Sequence, residues 1–568
     1  MRTHLAGLMI CALASAYAAA HGNPHHPPHL SPARPATLIG SCEALQGQLA
    51  GLPNTVITAS STVAAGTLQV AGKPVPEHCL VTGHMNDRIG LDGRPYAIGF
   101  ELRLPIEWNG RFWYQGNGGI DGSVVPATGA LGGGPLTHAL AQGFAVLSSD
   151  AGHPAAYGPT FGFDPQARLD YGYQAVGTLT PLAKALINVA YGKGPDRSYI
   201  GGCSNGGRHV LVAAARYSDQ YDGFLAGAPG FNLPLAALAN IFGAQRYASV
   251  ATGNPATPPG LETGFTADER RTVAAAVLKR CDWLDGARDG LVQDTHLCQK
   301  VFDLKRDVPT CPGERDGSCL SLAQKLAIGP IFRGATASNG PFYASFPYDP
   351  GIAGAGVPFW EFVAPLVLDS GAVGVIFKVP PTLDALTNGP GYALNLDVTA
   401  TLAQLFTTDA TFTESAMQFM TPPDPTNLSD LRRRGAKVLV YQGVSDPIFS
   451  IDDTKRWWRG VNRESRGRAS DFVRVFPVPG MNHCAGGPAT DQADYITSLV
   501  NWVERGEEPD RIVASARGPG NAGGVNPEVP ADWAPDRTRP LCAYPWVARY
   551  VRGSVEKASS FACLPGLP

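Results

Sequence analysis

Arg197-Ser198-Tyr199-Ile200-Gly201-Gly202-Cys203-Ser204-Asn205-Gly206-Gly207-Arg208 decides how this chain is read. A short strand-like run ends on a serine set between glycines, and small residues then carry a helical pattern to Ala214. Gly-x-Ser-x-Gly in that setting is a nucleophile elbow: the glycines permit a sharp strand-to-helix turn that presents the Ser204 hydroxyl. The N-terminus of the following helix favours negative charge developing beside it. The bare pattern also describes an ordinary glycine-rich turn, so its weight comes from the strand before it and the helix after it.

Outward from the elbow, strand and helix signals alternate. Residues 96–104 alternate as a half-buried strand, 111–115 form a second, and 144–149 are a short apolar run of the kind a buried parallel strand shows. Residues 173–191 have helical periodicity, and 224–230 are the strand after the elbow helix. The rhythm returns with strands at 436–443 and 473–478 and a helix over 494–504. Alternating β and α elements call for a mostly parallel sheet covered on both faces, the α/β class. Residues 231–432 break the rhythm, being rich in glycine, proline and aromatics such as Phe342, Tyr343, Phe346, Tyr348, Phe359 and Trp360. They read as a lid domain inserted between core segments 40–230 and 433–568.

A serine nucleophile needs a base and an acid to orient it. Asp446, in Gly443-Val444-Ser445-Asp446-Pro447, and His483, in Pro479-Gly480-Met481-Asn482-His483-Cys484, each follow a buried strand. Both thus fall at strand C-terminal ends, where open α/β sheets place their sites. The order Ser204, Asp446, His483 is that of α/β-hydrolases. Asp452 and Asp453 are rival acids at an expected helix start, where capping explains them. Gly116-Asn117-Gly118-Gly119 follows an early strand and suits the second half of an oxyanion hole, with the Gly119 amide paired with that of Asn205.

Cysteines flank the two central residues: Cys203 precedes Ser204 and Cys484 follows His483. A disulfide needs Cα atoms about 4.4–6.8 Å apart, so a Cys203–Cys484 bridge would bring serine and histidine together. Setting Cys11 aside leaves ten cysteines and no Cys-x-x-Cys pair, the arithmetic of an exported disulfide framework. Connectivity stays open at this level. The reading adopted pairs neighbours, Cys42 with Cys79, Cys281 with Cys298, Cys311 with Cys319 and Cys542 with Cys563, and leaves Cys203–Cys484 as the one long-range bridge.

The chain has 568 residues, more than one core holds, with 44% hydrophobic and 16% charged residues, so a globular protein with two lobes is expected. A net charge of −3 offers nothing to a nucleic acid. Residues 1–20 read as a signal peptide: Arg2 and His4, then an apolar stretch, then small residues for cleavage. Residues 21–39 read as a disordered His/Pro-rich leader. No later stretch is apolar for long enough to span a bilayer, so no membrane association is expected after cleavage. The compartment is secreted or periplasmic. The oligomeric state has no sequence signal.

Cys281-Asp282-Trp283-Leu284-Asp285-Gly286-Ala287-Arg288-Asp289-Gly290-Leu291 places three carboxylates and two glycines at short spacing, which suits a hard cation such as Ca²⁺. Asp282, Asp285 and Asp289 would give side chains, Ala287 and Leu291 carbonyls. An Asp/Gly-rich turn with helix caps is the plain alternative. His296 stands alone and argues against a catalytic metal.

Together these motifs, with Tyr221-Asp222-Gly223-Phe224-Leu225-Ala226-Gly227-Ala228-Pro229-Gly230, resemble the tannase/feruloyl esterase family of α/β-hydrolases over nearly the whole mature chain. That family includes bacterial mono(2-hydroxyethyl) terephthalate hydrolases. The resemblance implies an α/β-hydrolase core with a large lid, Ser204 as nucleophile, His483 as base, Asp446 as orienting acid and an oxyanion hole from Gly119 and Asn205. It also implies a structural calcium on the lid loop and hydrolysis of aromatic-acid esters. One departure matters: terephthalate-monoester hydrolases hold the free carboxylate with a lid arginine. Between Arg333 and Arg432 this chain has none, and Lys378 is the only basic residue there. Lysine lacks the guanidinium fork. Gly118 likewise stands where those hydrolases have a Ser-Gly pair. Esters of phenolic acids such as ferulate and gallate are therefore the expected substrates. The terephthalate monoester is the alternative and a serine peptidase on the same fold a second; a non-catalytic calcium-dependent binding protein is the rival from outside enzymes. Trp360, Phe359, Phe377 and Lys378 are the pocket candidates.

Overall fold

The computed structural model describes residues 29–131 and 138–566. The expected signal peptide and the first part of the leader lie outside them. From Leu30 the leader is docked rather than disordered, contrary to the expectation for 29–39. The Leu30 amide donates to Val503 O (2.8 Å), that of Ala33 to Glu504 (2.9 Å), and Ala36–Thr37 pairs with Glu107–Trp108. Proline-rich composition disfavours helix, but it leaves an extended segment free to lie along an edge.

The main sheet has nine strands: β1 Thr55–Val63, β2 His78–Ile89, β3 Pro95–Pro105, β4 Arg111–Gly116, β5 Ala145–Ser149, β6 Arg197–Cys203, β7 Gly223–Gly227, β8 Lys437–Gly443 and β9 Val473–Val478. Their order is β9-β8-β7-β6-β4-β5-β3-β2-β1. Strands β4 to β9 are mutually parallel, and β3, β2 and β1 add an antiparallel flank. The parallel strands are continuous runs of buried residues, as a sheet covered on both faces requires. The strands β1 and β2 escape the sequence reading because they are half-exposed and carry Ser, Thr, His and Asn among their apolar residues.

The longer helices, in chain order, are α1 Ala175–Tyr191, α2 Asn205–Arg216, α3 Leu233–Ala248, α4 Ala267–Cys281, α5 Leu322–Arg333, α6 Ile451–Glu464 and α7 Tyr495–Arg505. The period of two along the strands divides them between two cores. Phe112, Ile200, Phe224, Val438 and Val475 face α1, α2 and α6; Trp113, Tyr199, Leu225, Leu439 and Phe476 face α7, whose Trp502 is fully buried. Truncating Trp502 to alanine is expected to cost about 3–5 kcal/mol. In the lid segment, α4 and α5 each begin with a capping box, Thr266/Glu269 and Ser321/Gln324. Ile241, Val277, Ile328, Phe362 and Val373 build a third core there, which packs on Tyr96, Phe161 and Tyr171 of the sheet domain.

After α7 the chain leaves the sheet for two hairpins, Arg511–Ser515 with Thr538–Cys542 and Trp546–Tyr550 with Phe561–Pro565. All five expected disulfides are formed. Cys42–Cys79 ties the segment before β1 to the start of β2. Cys281–Cys298 closes the acidic loop after α4, and Cys311–Cys319 closes a short turn before α5. Cys542–Cys563 links the two C-terminal hairpins. Cys203–Cys484 joins the ends of β6 and of the loop after β9. The four local pairs span 37, 17, 8 and 21 residues, and the fifth spans 281. Only the last therefore fixes distant parts of the chain against each other. Among the described residues no helix is long and apolar enough to cross a membrane.

Candidate active site

Ser204 sits on the turn between β6 and α2 with φ +65° and ψ −128°, a left-handed conformation that a serine adopts only where its surroundings impose it. Those surroundings are glycines. A Cβ added at Gly202 or Gly206 would lie 2.4 or 2.3 Å from the Gly116 carbonyl oxygen, so the loop after β4 packs directly on the elbow. A Cβ at Gly118 would come within 3.9 Å of Ser204 Cβ, which places the 116–119 loop beside the hydroxyl. Gly119 has φ +63° and open space around its Cβ position. Asn205 is the first residue of α2, where an amide has no partner within the helix.

Behind the elbow lies a buried polar network that the sequence reading did not foresee. Asn205 Nδ2 donates to Asp121 Oδ2 (2.8 Å), and His209 Nε2 lies 2.9 Å from the same oxygen. Arg208, fully buried, donates to Asn205 Oδ1 (2.6 Å), Gly172 O (2.6 Å) and Tyr171 O (2.9 Å), while Tyr171 donates its hydroxyl to Gly119 O (3.3 Å). Burial pushes the Asp121 carboxyl up to about 7, against the pull of the Arg208 charge, and drives His209 well below its ordinary value. These contacts fix Asn205 and the oxyanion loop in one unit. The only trace in the sequence is Asp121 two residues past Gly119 and the Arg208-His209 pair after the elbow.

The Cys203–Cys484 bridge holds its two Cα atoms 6.0 Å apart, and each is the chain neighbour of Ser204 or His483. His483 Nδ1 is 2.9 Å from Asp446 Oδ2, and Asp446 Oδ1 accepts the amides of Ile448 and Phe449, each at 3.0 Å. With Nδ1–H donated to the carboxylate, His483 Nε2 remains as acceptor, buried and without a hydrogen-bond partner. The rival acids take other places: Asp452 and Asp453 lie in the first turn of α6 and accept from Ser345 Oγ (2.8 Å) and Asn232 Nδ2 (2.9 Å).

A lid carboxylate holds both of these loops. Asp349 is wholly buried; its Oδ1 accepts Ser445 Oγ (2.5 Å), next to Asp446, and the amide of Gly480 (3.1 Å), three residues before His483. Asn482 Nδ2 ties the same pair, to Gly351 O (2.9 Å) and Ser445 O (3.2 Å). Burial pushes the Asp349 carboxyl up to about 6 against its hydrogen bonds and the Lys455 charge.

Of the pocket candidates, Trp360 reaches the site, its ring edge-on to His483 at 4.9 Å between centroids. Phe449 does the same at 5.3 Å, unforeseen, and Gly230 leaves it room. Phe359, half-exposed, meets Trp360 edge-on at 5.0 Å. Phe377 is 0% exposed within the lid core and so presents no face to a ligand, a correction imposed by its packing with the lid helices. Lys378 follows it, its ammonium 6.0 Å from the Tyr392 ring centroid and its carbonyl accepting from Arg168 (3.4 Å).

On the 282–291 loop, Asp282 Oδ1 accepts the amides of Asp289 (3.1 Å) and Gly290 (3.2 Å), and Asp285 those of Ala287 (2.9 Å) and Gln293 (3.3 Å). Asp289 is ion-paired with Arg539, buried in the C-terminal hairpins. Among the described residues no three His, Cys, Asp or Glu side chains converge as a metal cluster. The three carboxylates of the loop are engaged by backbone amides and by Arg539. Burial pushes the Asp285 carboxyl up to about 7, with the neighbouring charges of Asp289 and Asp282 acting in the same direction.

The sheet, the elbow after β6, and the acid and histidine after β8 and β9 define an α/β-hydrolase. Residues 79–564 match the model of the tannase and feruloyl esterase family, and the chain belongs to that family, whose members are carboxylic-ester hydrolases. It is 37% identical over 562 residues to the mono(2-hydroxyethyl) terephthalate hydrolase of Piscinibacter sakaiensis, an alignment covering 92% of this chain and 91% of the relative. With the probable feruloyl esterase B-1 of Aspergillus fumigatus it shares 30% identity over 470 residues, 79% and 80% of the two chains. The crystal structure of feruloyl esterase B from Aspergillus oryzae has the same fold, with TM-score 0.70 and 24% identity over 92% of this chain and 99% of that one.

Proposed function

We propose that the protein is an exported serine esterase that cleaves esters of phenolic acids through an acyl-enzyme. The supporting observation is the Ser204–Asp446–His483 arrangement: a strained serine at the head of α2, bridged to the histidine loop, with His483 Nδ1 on Asp446 and Nε2 unpaired. In the reaction, His483 Nε2 takes the Ser204 proton as Oγ attacks the ester carbonyl. The amides of Asn205 and Gly119 stabilise the oxyanion, the imidazolium protonates the leaving alcohol, and water repeats the sequence to release the acid. The aromatic edges of Trp360 and Phe449 beside the imidazole favour a flat acyl group.

A structural calcium held by Asp282, Asp285, Asp289 and the carbonyls of Ala287 and Leu291 would neutralise a crowded acidic loop and take no part in the chemistry. Five disulfides support an oxidising compartment, secreted or periplasmic.

The terephthalate monoester is a second reading, favoured by the 37% identity to a hydrolase of that name over 92% of this chain. Initial rates on methyl ferulate, methyl gallate and mono(2-hydroxyethyl) terephthalate separate the two. A phenolic ester is expected to be preferred, and preference for the terephthalate ester would overturn that reading. Ser204→Ala should lower turnover of the preferred ester by about 10⁴-fold or more with the fold intact. Near-normal turnover would overturn the serine assignment.

A further inference from the structure

Apart from the triad, the structure holds a cavity of about 1190 Å³ between the lid, α6 and the C-terminal hairpins. Its walls include Pro477 and Pro479, on the strand and loop leading to His483, and Asp452 and Lys455 of α6. No member of the triad lines it.

The polar groups facing it are underused. Lys455 is only 8% exposed. Its ammonium, with three donors, makes one hydrogen bond, to Thr295 Oγ1 at 3.2 Å, and stands 3.8 Å from an Asp452 carboxylate that also accepts from Ser345. Gln293 Nε2 is buried there with no partner. Of the other lining acids, Asp294 is ion-paired with Arg549, and Asp303 accepts the Arg306 amide. Of the lining arginines, Arg456 stands 3.8 Å from Asp453 and Arg459 donates to the Tyr544 hydroxyl (3.3 Å), while Arg333 is exposed. The unspent charge is positive, in a protein of net charge −3. The walls are also aromatic: Phe332 and Tyr348 stack at 4.3 Å, and Trp546 is 47% exposed.

We propose that this cavity is a second binding site, for aromatic carboxylates, the class of acid that ester cleavage releases. The choice of ligand rests on the esterase reading above. A carboxylate takes the free donors of Lys455 and Gln293 Nε2 while its ring lies against the aromatic wall. Arg333 and Arg459 gather the anion at the mouth. Such a ligand sits one step from the triad, because Pro479 in the cavity wall adjoins Gly480, whose amide donates to Asp349, the carboxylate that holds the acid and histidine loops. Any effect of occupancy on the site is matched by an equal effect of the site on occupancy.

The test uses the full processed protein. Ferulate is titrated calorimetrically into enzyme treated with a fluorophosphonate, with labelling of Ser204 read by mass spectrometry. About one equivalent of ferulate is expected to bind the labelled enzyme. Lys455→Met should weaken that equivalent about ten-fold or more, and Arg333→Ala by a smaller factor, as loss of a charged hydrogen bond and of a rim charge predict. Acetate, lacking the ring, should not compete. Absence of binding to labelled enzyme, or unchanged affinity in folded Lys455→Met, overturns the proposal. If Lys455→Met does not fold, unchanged affinity in the exposed variants Arg333→Ala and Trp546→Ala together does so. Failure of Ser204 to label counts against the esterase reading instead. The Lys455-dependent equivalent can still be measured on unlabelled enzyme, so the two failures are distinguishable.

Discussion

Ser204 is placed by backbone packing: β6, the turn at Ser204 and α2 follow one another without interruption, and Gly202 and Gly206 lie so close to Gly116 that no side chain could enter. His483 is placed by distant parts of the chain. Its loop depends on a cysteine 281 residues away, on Asp446 and on a carboxylate supplied by the lid. One half of the site is therefore positioned by local backbone packing and the other by tethers that can be cut one at a time. Cutting them should leave the elbow intact while turnover falls.

The bridge is the largest tether. Replacing Cys203 and Cys484 together by serine removes a constraint across 281 residues, a loss of about 2–5 kcal/mol in stability. It also loosens the distance between base and nucleophile, for which a 1 Å error costs about 10²-fold in rate. The expected result is a lower melting temperature and a kcat reduced by about two orders of magnitude, with Ser204 still open to slow fluorophosphonate labelling. An unchanged kcat would mean that packing alone holds the histidine loop.

Asp349 comes next. Asp349→Ala leaves Ser445 Oγ and the amides of Gly351 and Gly480 without their acceptor. About a ten-fold loss of kcat with little change in KM is expected, partly restored in Asp349→Asn, which keeps one acceptor oxygen. A change confined to stability, or to KM, would make Asp349 a plain lid anchor and the histidine loop independent of it.

The same contrast explains what was legible beforehand. The elbow, the parallel strands and the chain order of serine, acid and histidine are local patterns with a period or a motif, and the structure carries each of them. The two cysteines beside Ser204 and His483 gave the single long-range contact that sequence could express. The other four bridges were legible for a plainer reason, since each joins cysteines that are neighbours in the chain: Cys42 and Cys79, Cys281 and Cys298, Cys311 and Cys319, Cys542 and Cys563. Asp349 had no such marker: it stands in Tyr348-Asp349-Pro350-Gly351, which reads as a turn, and its partners lie about 100 and 130 residues on. Phe377 misled because an aromatic in a lid looks the same in sequence whether it lines a pocket or fills a core. The docked leader was missed because extended chain pairing with a distant edge has no periodicity of its own.

The 282–291 loop belongs with the tethered half, since Arg537 and Arg539 of the C-terminal hairpins hold it from the far end of the chain. Calcium at about one hundred times its Kd would add about 2.7 kcal/mol to stability. On the proposal that the loop holds a structural calcium, chelation is expected to lower the melting temperature and leave kcat unchanged below it, and an unchanged melting temperature would overturn that proposal. Immediate loss of kcat without a shift in melting would move the cation into the chemistry.

The smallest effect concerns Trp360. Asn240 Nδ2 donates to Trp360 O (2.8 Å) and to the buried Asp369 (2.7 Å), so this pair holds the backbone of the residue whose indole meets His483. Burial pushes the Asp369 carboxyl up to about 7, with the Asn240 hydrogen bond pulling the other way. Unfolded, the same group titrates near 3.8. Between those values the folded protein binds the extra proton, so the group's stabilising contribution is complete below about pH 4 and is lost as pH rises through about 7. Melting temperature should therefore fall between pH 5 and pH 8, and the fall should be shallower in Asp369→Asn, which keeps an acceptor for Asn240 and cannot ionise. If the slope is the same in both proteins, Asp369 does not contribute to it, and the lid side of Trp360 is held by packing, as Ser204 is, rather than by a titratable tether.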